Sequence, residues 1–112
     1  MQQLATSESQ IQKDILKYAK LKKLCVFRMN TGGNLRATSR GVIMTPNKNR
    51  GFSDLLWLHN GKTYFVEVKT STGKWSPDQQ DFCKLVTSYG GIYFLCRSLD
   101  MFIDFVKQVI GA

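Results

Sequence analysis

Asp54, Glu67 and Lys69 stand out in the sequence by type and spacing. Two carboxylates and an amine are the parts needed to hold a divalent cation and to steady a developing negative charge, provided that the chain brings them together. Asn60-Gly61 supplies the means. It separates two runs rich in apolar, β-branched and aromatic residues, Phe52–His59 and Lys62–Thr70. Asn-Gly in that setting is the strongest short-range signal of a hairpin with a type I′ turn. With Asn60 and Gly61 as the two turn residues, Asp54 lies directly across from Glu67. Alternation along the strands puts Phe52, Asp54, Leu56, Leu58, Thr63, Phe65, Glu67 and Lys69 on one face, and Leu55, Trp57, Tyr64, Val66 and Val68 on the other. Both faces are mostly apolar, so both should be covered.

Carboxylates facing each other at ~5 Å between Cβ atoms repel. Partly buried, they cannot both stay ionised without compensation. A divalent cation is one answer, Mg²⁺ or Mn²⁺ being suited to carboxylate, carbonyl and water oxygens. Solvated acids at a sheet edge, with Lys69 as their salt-bridge partner, are the other. Two helices each carry one polar residue on an apolar stripe: Glu8 with Ile11 and Ile15, and Gln79 with Phe82, Cys83 and Val86. Both lie in a first turn, where an acid complements the helix dipole and a glutamine closes a capping box. Both could also reach a polar cluster on the sheet.

The elements that must position these residues follow from local pattern. Ser7-Glu8-Ser9-Gln10 fits a capping box, and the apolar spacing after it predicts a helix from about Glu8 to Lys20. Leu24–Met29 reads as a strand. Thr31–Arg50, dense in Gly, Asn, Ser, Thr and Arg, reads as a long loop with a short strand at Val42–Met44; loops of that length in small domains are usually functional. After a loop at Ser71–Trp75, Ser76-Pro77-Asp78-Gln79 opens a second helix that Gly90-Gly91 stops. Ile92–Cys96 is a strand, and Ser98 caps a last helix, Leu99–Ile110. The order is α-β-β-β-α-β-α: a single α/β domain over residues 1–112, with a small mixed sheet flanked by helices. Trp57 belongs to the core, Trp75 could pack or stack on a base, and His59 should be exposed beside the turn. The last helix is core or a dimer seam, and the cysteines read as buried small hydrophobes.

Charge narrows the partners. The chain carries a formal net charge of +8, and residues 1–53 hold ten of its sixteen Lys and Arg but two of its eight acids. A one-signed stretch on a folded domain attracts polyanions, nucleic acid first among them. No helix pairs a basic face with exposed Trp or Phe, and no apolar run approaches the ~18 residues that span a bilayer, so no membrane partner is expected. The N-terminal residues lack the basic start and apolar centre of a secretory signal. Three cysteines cannot all pair, and together with the single His59 they offer no zinc spacing, so a reducing interior is the natural compartment.

Asp54 followed by Glu67-Val68-Lys69 across a hairpin resembles the PD-(D/E)XK nuclease motif, and the element order resembles that superfamily's restriction-endonuclease-like core. More narrowly, the chain resembles a stand-alone VRR-NUC domain, the virus-type replication-repair nuclease. The resemblance rests on Glu8 in its helix, Phe27–Gly33, Gly51–Leu58, Glu67–Gln79 and Gly90–Ser98, and spans nearly the whole chain. One departure is Ser53, where the superfamily motif carries proline.

The resemblance implies metal-dependent hydrolysis of DNA phosphodiester bonds by an endonuclease. Asp54, Glu67 and the Val68 carbonyl would bind Mg²⁺ or Mn²⁺, with Glu8 reaching the metal through water. Lys69 would orient or activate the attacking water, and Gln79 would support Lys69 or that water. Small viral members are similar to homodimeric Holliday-junction resolvases, so branched DNA, a homodimer and the cytoplasm of a bacterial or virus-infected cell are expected, with no small-molecule cofactor. Arg36, Arg40, Lys48 and Arg50, with Arg28, Asn30 and Lys74, are the candidates for phosphate contacts, which position DNA without reading sequence; each could equally be a solvated charge. The competing reading is a non-catalytic basic module that binds nucleic acid.

Overall fold

A computed structural model of the chain describes residues 6–29, 34–38, 41–45 and 53–111, the two short stretches by their backbone alone. The elements run α1 (Glu8–Leu21), β1 (Cys25–Arg28), β2 (Asn34–Thr38), β3 (Gly41–Thr45), β4 (Leu55–His59), β5 (Lys62–Val68), α2 (Pro77–Ser88), β6 (Ile92–Cys96) and α3 (Leu99–Ile110). Four strands form one mixed sheet in the order β1-β4-β5-β6, antiparallel except for the parallel pair β5-β6. Without β2 and β3 the order is the α-β-β-β-α-β-α read from sequence. The stretch read as a loop with one short strand instead carries an antiparallel pair, β2 with β3.

The β4-β5 turn has the expected conformation, with Asn60 at φ 52° and Gly61 at φ 78°. Leu55 pairs with Val66 and His59 with Lys62, which is the register that the turn dictates. Alternation therefore delivers Leu55, Trp57, Tyr64, Val66 and Val68 to one face. There they are buried with Ile11 and Ile15 of α1, Cys96 of β6, and Phe102 and Val106 of α3. Burial also pushes the Cys96 thiol up to about 11, which keeps it inert.

The opposite face is covered in part. Phe82 of α2 meets Phe65 at 5.6 Å and Tyr93 at 6.2 Å between ring centroids, so α2 shields the β5-β6 half. On the β1-β4 half Phe27 is 51% and Leu58 41% exposed. Cys25 is exposed as well, so only Cys96 is the buried hydrophobe expected of all three cysteines. His59 is half-buried and stacks on Trp57 at 5.3 Å, two residues along the same strand face, where exposure was expected.

Each helix starts where a side chain satisfies its first amides. Ser7 accepts from the Gln10 amide, Ser76 from the Gln79 amide and Ser98 from the Met101 amide. The end of α1 is less ordinary. The Leu24 amide reaches the Ala19 carbonyl at 2.8 Å, and the Lys23 amide the Lys20 carbonyl at 3.3 Å. This pairing places Lys23 in the left-handed region at φ 58°, where a glycine is usual and another residue costs about 1 kcal/mol.

Candidate active site

Asp54 ends the approach to β4 and Glu67 lies near the end of β5. The hairpin brings their side chains into hydrogen-bonding contact on one face of the sheet. Asp54 is held at both ends: its carbonyl accepts from the Met29 amide, and its Oδ2 accepts from the Val68 amide at 2.9 Å. Ser53, in the place of the motif's proline, is fully buried and donates to the Leu55 carbonyl, which closes the turn into β4.

Glu67 is 2% exposed. Its Oε1 accepts from Gln79 Nε2 at 2.7 Å, while Oε2 is buried and meets no donor among the described residues. Burial first, then the charge of Asp54 and the hydrogen bond with it, push Glu67 up from 4.5 to about 9; Lys69 pulls in the other direction and Glu8 adds to the rise. In the metal-free centre Glu67 thus keeps its proton at neutral pH.

Gln79 settles two readings in favour of both. Its Oε1 accepts from the Ser76 amide at 2.9 Å while its own amide donates to Ser76 Oγ, a complete capping box. The same side chain's Nε2 remains for Glu67. Gln79 therefore serves a carboxylate, where support of Lys69 or of a water was expected. In α1 the box is half-made: the Gln10 side chain donates to Asp14 instead of returning to Ser7.

Glu8 begins α1 within electrostatic range of Glu67. Among the described residues, no group of three His, Cys, Asp or Glu side chains is arranged to hold a metal ion, so Glu8 does not join the pair as a third direct ligand. Asp54 and Glu67 are nonetheless hard oxygen donors, and Oε2 of Glu67 is buried with no donor among the described residues. A divalent cation fits this donor set if backbone carbonyl and water oxygens supply the rest.

Lys69 is half-buried and its stem packs by Gly73: a Cβ there would lie 3.4 Å from Lys69 Cδ and 3.0 Å from Thr70 Oγ1. Residues that sequence reasoning missed hold this loop in place. Arg97 Nη1 donates to the Thr70 carbonyl at 2.6 Å and to the Gly73 carbonyl at 2.9 Å. Trp75 donates from Nε1 to the Tyr93 hydroxyl at 3.4 Å, and the Trp75 carbonyl accepts from Gln80. Trp75 is thus a packed wall of the loop. Tyr93 is raised well above its usual range, by burial first and then with help from Glu67 and Asp54, so it stays un-ionised beside them. Arg97 stands one residue beyond Cys96, which pairs in parallel with Val68, next to Lys69, and no local pattern in the sequence marked it.

Of the candidate DNA contacts, Arg28 and Lys74 are exposed; Arg28 precedes Met29, whose amide binds the Asp54 carbonyl, and Lys74 follows Gly73 in the loop beside Lys69. Asn30, Arg40, Lys48 and Arg50 lie outside the described residues, as does Phe52; of Arg36 only its strand position, opposite Ile43, is described. No helix among the described residues is long and apolar enough to cross a membrane.

No curated protein matches the chain. The family model of the VRR-NUC domain, however, matches residues 6–100, from just before the α1 cap into the first turn of α3, and so takes in Glu8, Asp54, Glu67, Lys69 and Gln79 together. With nearly the whole fold and every member of the carboxylate cluster inside that match, the chain belongs to the VRR-NUC family, a family of nuclease type.

Proposed function

We propose that the chain is a divalent-metal-dependent endonuclease that hydrolyses phosphodiester bonds in DNA, selective for branched structures such as four-way junctions and acting as a homodimer. One observation carries the catalytic part of this reading. Glu67 is a buried carboxyl group whose Oε1 is tied to Gln79 while its Oε2 meets no donor among the described residues, its other neighbour being a second carboxyl group, Asp54. Buried side-chain oxygens ordinarily find a donor, and two acids set against each other leave that place to a proton or a cation.

A bound Mg²⁺ or Mn²⁺ would acidify a water and offset charge on the phosphate. The chain's residues do the rest. Asp54 and Glu67, with the Val68 carbonyl, would hold the ion, and Gln79 fixes the angle of Glu67 through Nε2. Lys69, its stem steadied by the loop at Gly73, offers a point charge to the attacking water and to the non-bridging phosphate oxygens. Glu8 holds a further water at the rim. Arg28 and Lys74 take flanking phosphates, as do Arg36, Arg40, Lys48, Arg50 and Asn30 in the basic half.

The test is cleavage of a four-way junction and of linear duplex with Mg²⁺, with Mn²⁺ and with EDTA. Metal-dependent cutting that prefers the junction and is lost in Glu67→Gln is the expected result. Cutting that survives EDTA, or that is undiminished in Glu67→Gln, refutes the metal centre. Salt-dependent binding without any cleavage favours the non-catalytic module.

A further inference from the structure

Helix α1 carries a feature that the proposed centre does not use. Lys13, Lys17 and Lys20 recur at i, i+4 and i+7 and are all exposed, opposite the buried stripe Ile11, Ile15 and Ala19. Lys22 and Lys23 continue the run and are exposed too. The acid within it, Asp14, is half-buried and accepts a hydrogen bond from Gln10.

Lys20, in the last turn, complements the helix dipole, but Lys13 and Lys17 stand at i, i+4, where like charges repel. The strain at Lys23 points the same way. Its backbone sits in the left-handed region at φ 58°, which glycine would occupy freely, and yet the residue there is a fifth lysine. The repulsion between Lys13 and Lys17 and the backbone strain at Lys23 are both incurred at lysines, and a polyanion relieves the first of them.

We propose that the outer face of α1, from Lys13 through Lys20 to Lys23, is a binding track for the phosphate backbone of duplex DNA, separate from the contacts assigned to Arg28, Lys74 and the basic stretch after β1. Lys13 and Lys20 are about 10 Å apart along the axis, a rise of roughly three nucleotides on one strand. The track begins little more than one turn beyond Glu8, whose charge reaches Glu67, and its lysines face away from the sheet that carries the carboxylates. It therefore holds duplex beyond the centre and not the bond that is cut. A lipid surface is a poorer fit, because the track offers one exposed apolar side chain, Leu21, and no Trp or Phe.

The proposal rests on the reading of DNA as substrate and is tested without cleavage. Fluorescence anisotropy with a labelled duplex in EDTA, across a series of KCl concentrations, gives affinity and its salt slope. The variant carrying Lys13→Gln, Lys17→Gln and Lys20→Gln should bind at least tenfold more weakly at intermediate salt. Its slope of log K against log [KCl] should fall by about 2.7, roughly 0.9 for each phosphate that a lysine no longer neutralises. Lys23→Gly should raise the melting temperature while lowering affinity, an opposition that a structural role would not produce. Slopes and affinities within twofold of wild type overturn the track, as does Lys23→Gly binding like wild type. Loss of binding to phosphatidylserine vesicles or to single-stranded RNA with duplex binding intact also overturns it. Failure of the nuclease reading would show separately, as normal salt-dependent binding with no cleavage on adding Mn²⁺.

Discussion

The proton on Glu67 makes the centre measurable in the absence of any substrate. In the folded chain Glu67 titrates at about 9, in the unfolded chain near 4.5, so between those values the folded state binds the extra proton. Its contribution to stability is complete below pH 4.5 and is lost as pH rises toward 9, at up to about 1.4 kcal/mol per pH unit. Glu67→Gln removes this dependence without removing the contacts. The amide oxygen can still accept from Gln79, and the amide nitrogen can donate to Asp54 where the shared proton was. At pH 8 in EDTA the variant should be more stable than wild type by at least about 2 kcal/mol, a melting temperature higher by roughly 8 °C or more for a chain of this size. The gap should close as pH falls to 5. Mn²⁺ reverses the order at pH 8, because it requires the ionised carboxylate: wild type gains, the variant does not, and wild-type affinity for Mn²⁺ rises up to tenfold per pH unit. Thermal melts over pH 5–8.5, with and without Mn²⁺, measure all of this. A gap between wild type and Glu67→Gln that is the same at pH 5 and pH 8 would refute the reasoning.

Asp54→Asn keeps an oxygen for the Val68 amide but removes the charge that raises Glu67, so in the same melts the midpoint of the pH dependence should move down by about 1 unit or more. Gln79→Ala removes both halves of its role and should cost about 1–2 kcal/mol together with activity, whereas Gln79→Glu keeps the cap acceptor but sets a carboxylate against Glu67; a Gln79→Glu enzyme as active as wild type would contradict the assignment. Arg97→Ala should cost about 2–3 kcal/mol by releasing two carbonyls and should lower kcat, while Arg97→Lys recovers part of both. Gly73→Ala crowds Thr70, the residue next to Lys69, and merely touches the lysine stem, so it should lower kcat modestly with little change in Mn²⁺ affinity, read from steady-state rates and calorimetry.

The parts of the fold written in local sequence were legible in advance. Asn60-Gly61 fixed the β4-β5 register because the turn needs two residues at positive φ, and that register put Asp54 against Glu67. Ser76 through Gln79 marked the start of α2. The β2-β3 pair was missed because Ser39-Arg40 between its strands carries none of the Gly, Asn or Asp chemistry that marks a tight turn. The end of α1 fell past Lys20 because a lysine stands where glycine usually stops a helix. Arg97 and Tyr93 owe their places to the parallel pairing of β5 with β6, a contact between distant segments that no local pattern encodes. Gln79 was posed as a cap or a site residue, but a primary amide has two ends, and here each end serves one of the two roles.

Two remedies for facing carboxylates were open on sequence grounds, a cation or a salt bridge to Lys69. The geometry argues against the salt bridge as a sufficient one. Had Lys69 neutralised the pair, Glu67 would titrate at or below its ordinary value; instead burial and Asp54 outweigh the lysine, and Glu67 rises to about 9. The metal-free chain uses a third remedy, a proton, which takes the electrostatic role that a cation would fill and must leave before one binds. Lys69, whose pull on Glu67 is outweighed, follows directly after β5 and adjoins a loop that Arg97 anchors from the far side. A cation that is near the carboxylates but not consumed by them is what a phosphate at this site would require. It follows that Lys69→Ala should leave Glu67 raised or raise it further, and should therefore keep the slope of stability against pH and carry it to higher pH, while removing activity. A dependence that ends at lower pH in that variant would mean that the lysine, not the proton, had been balancing the pair.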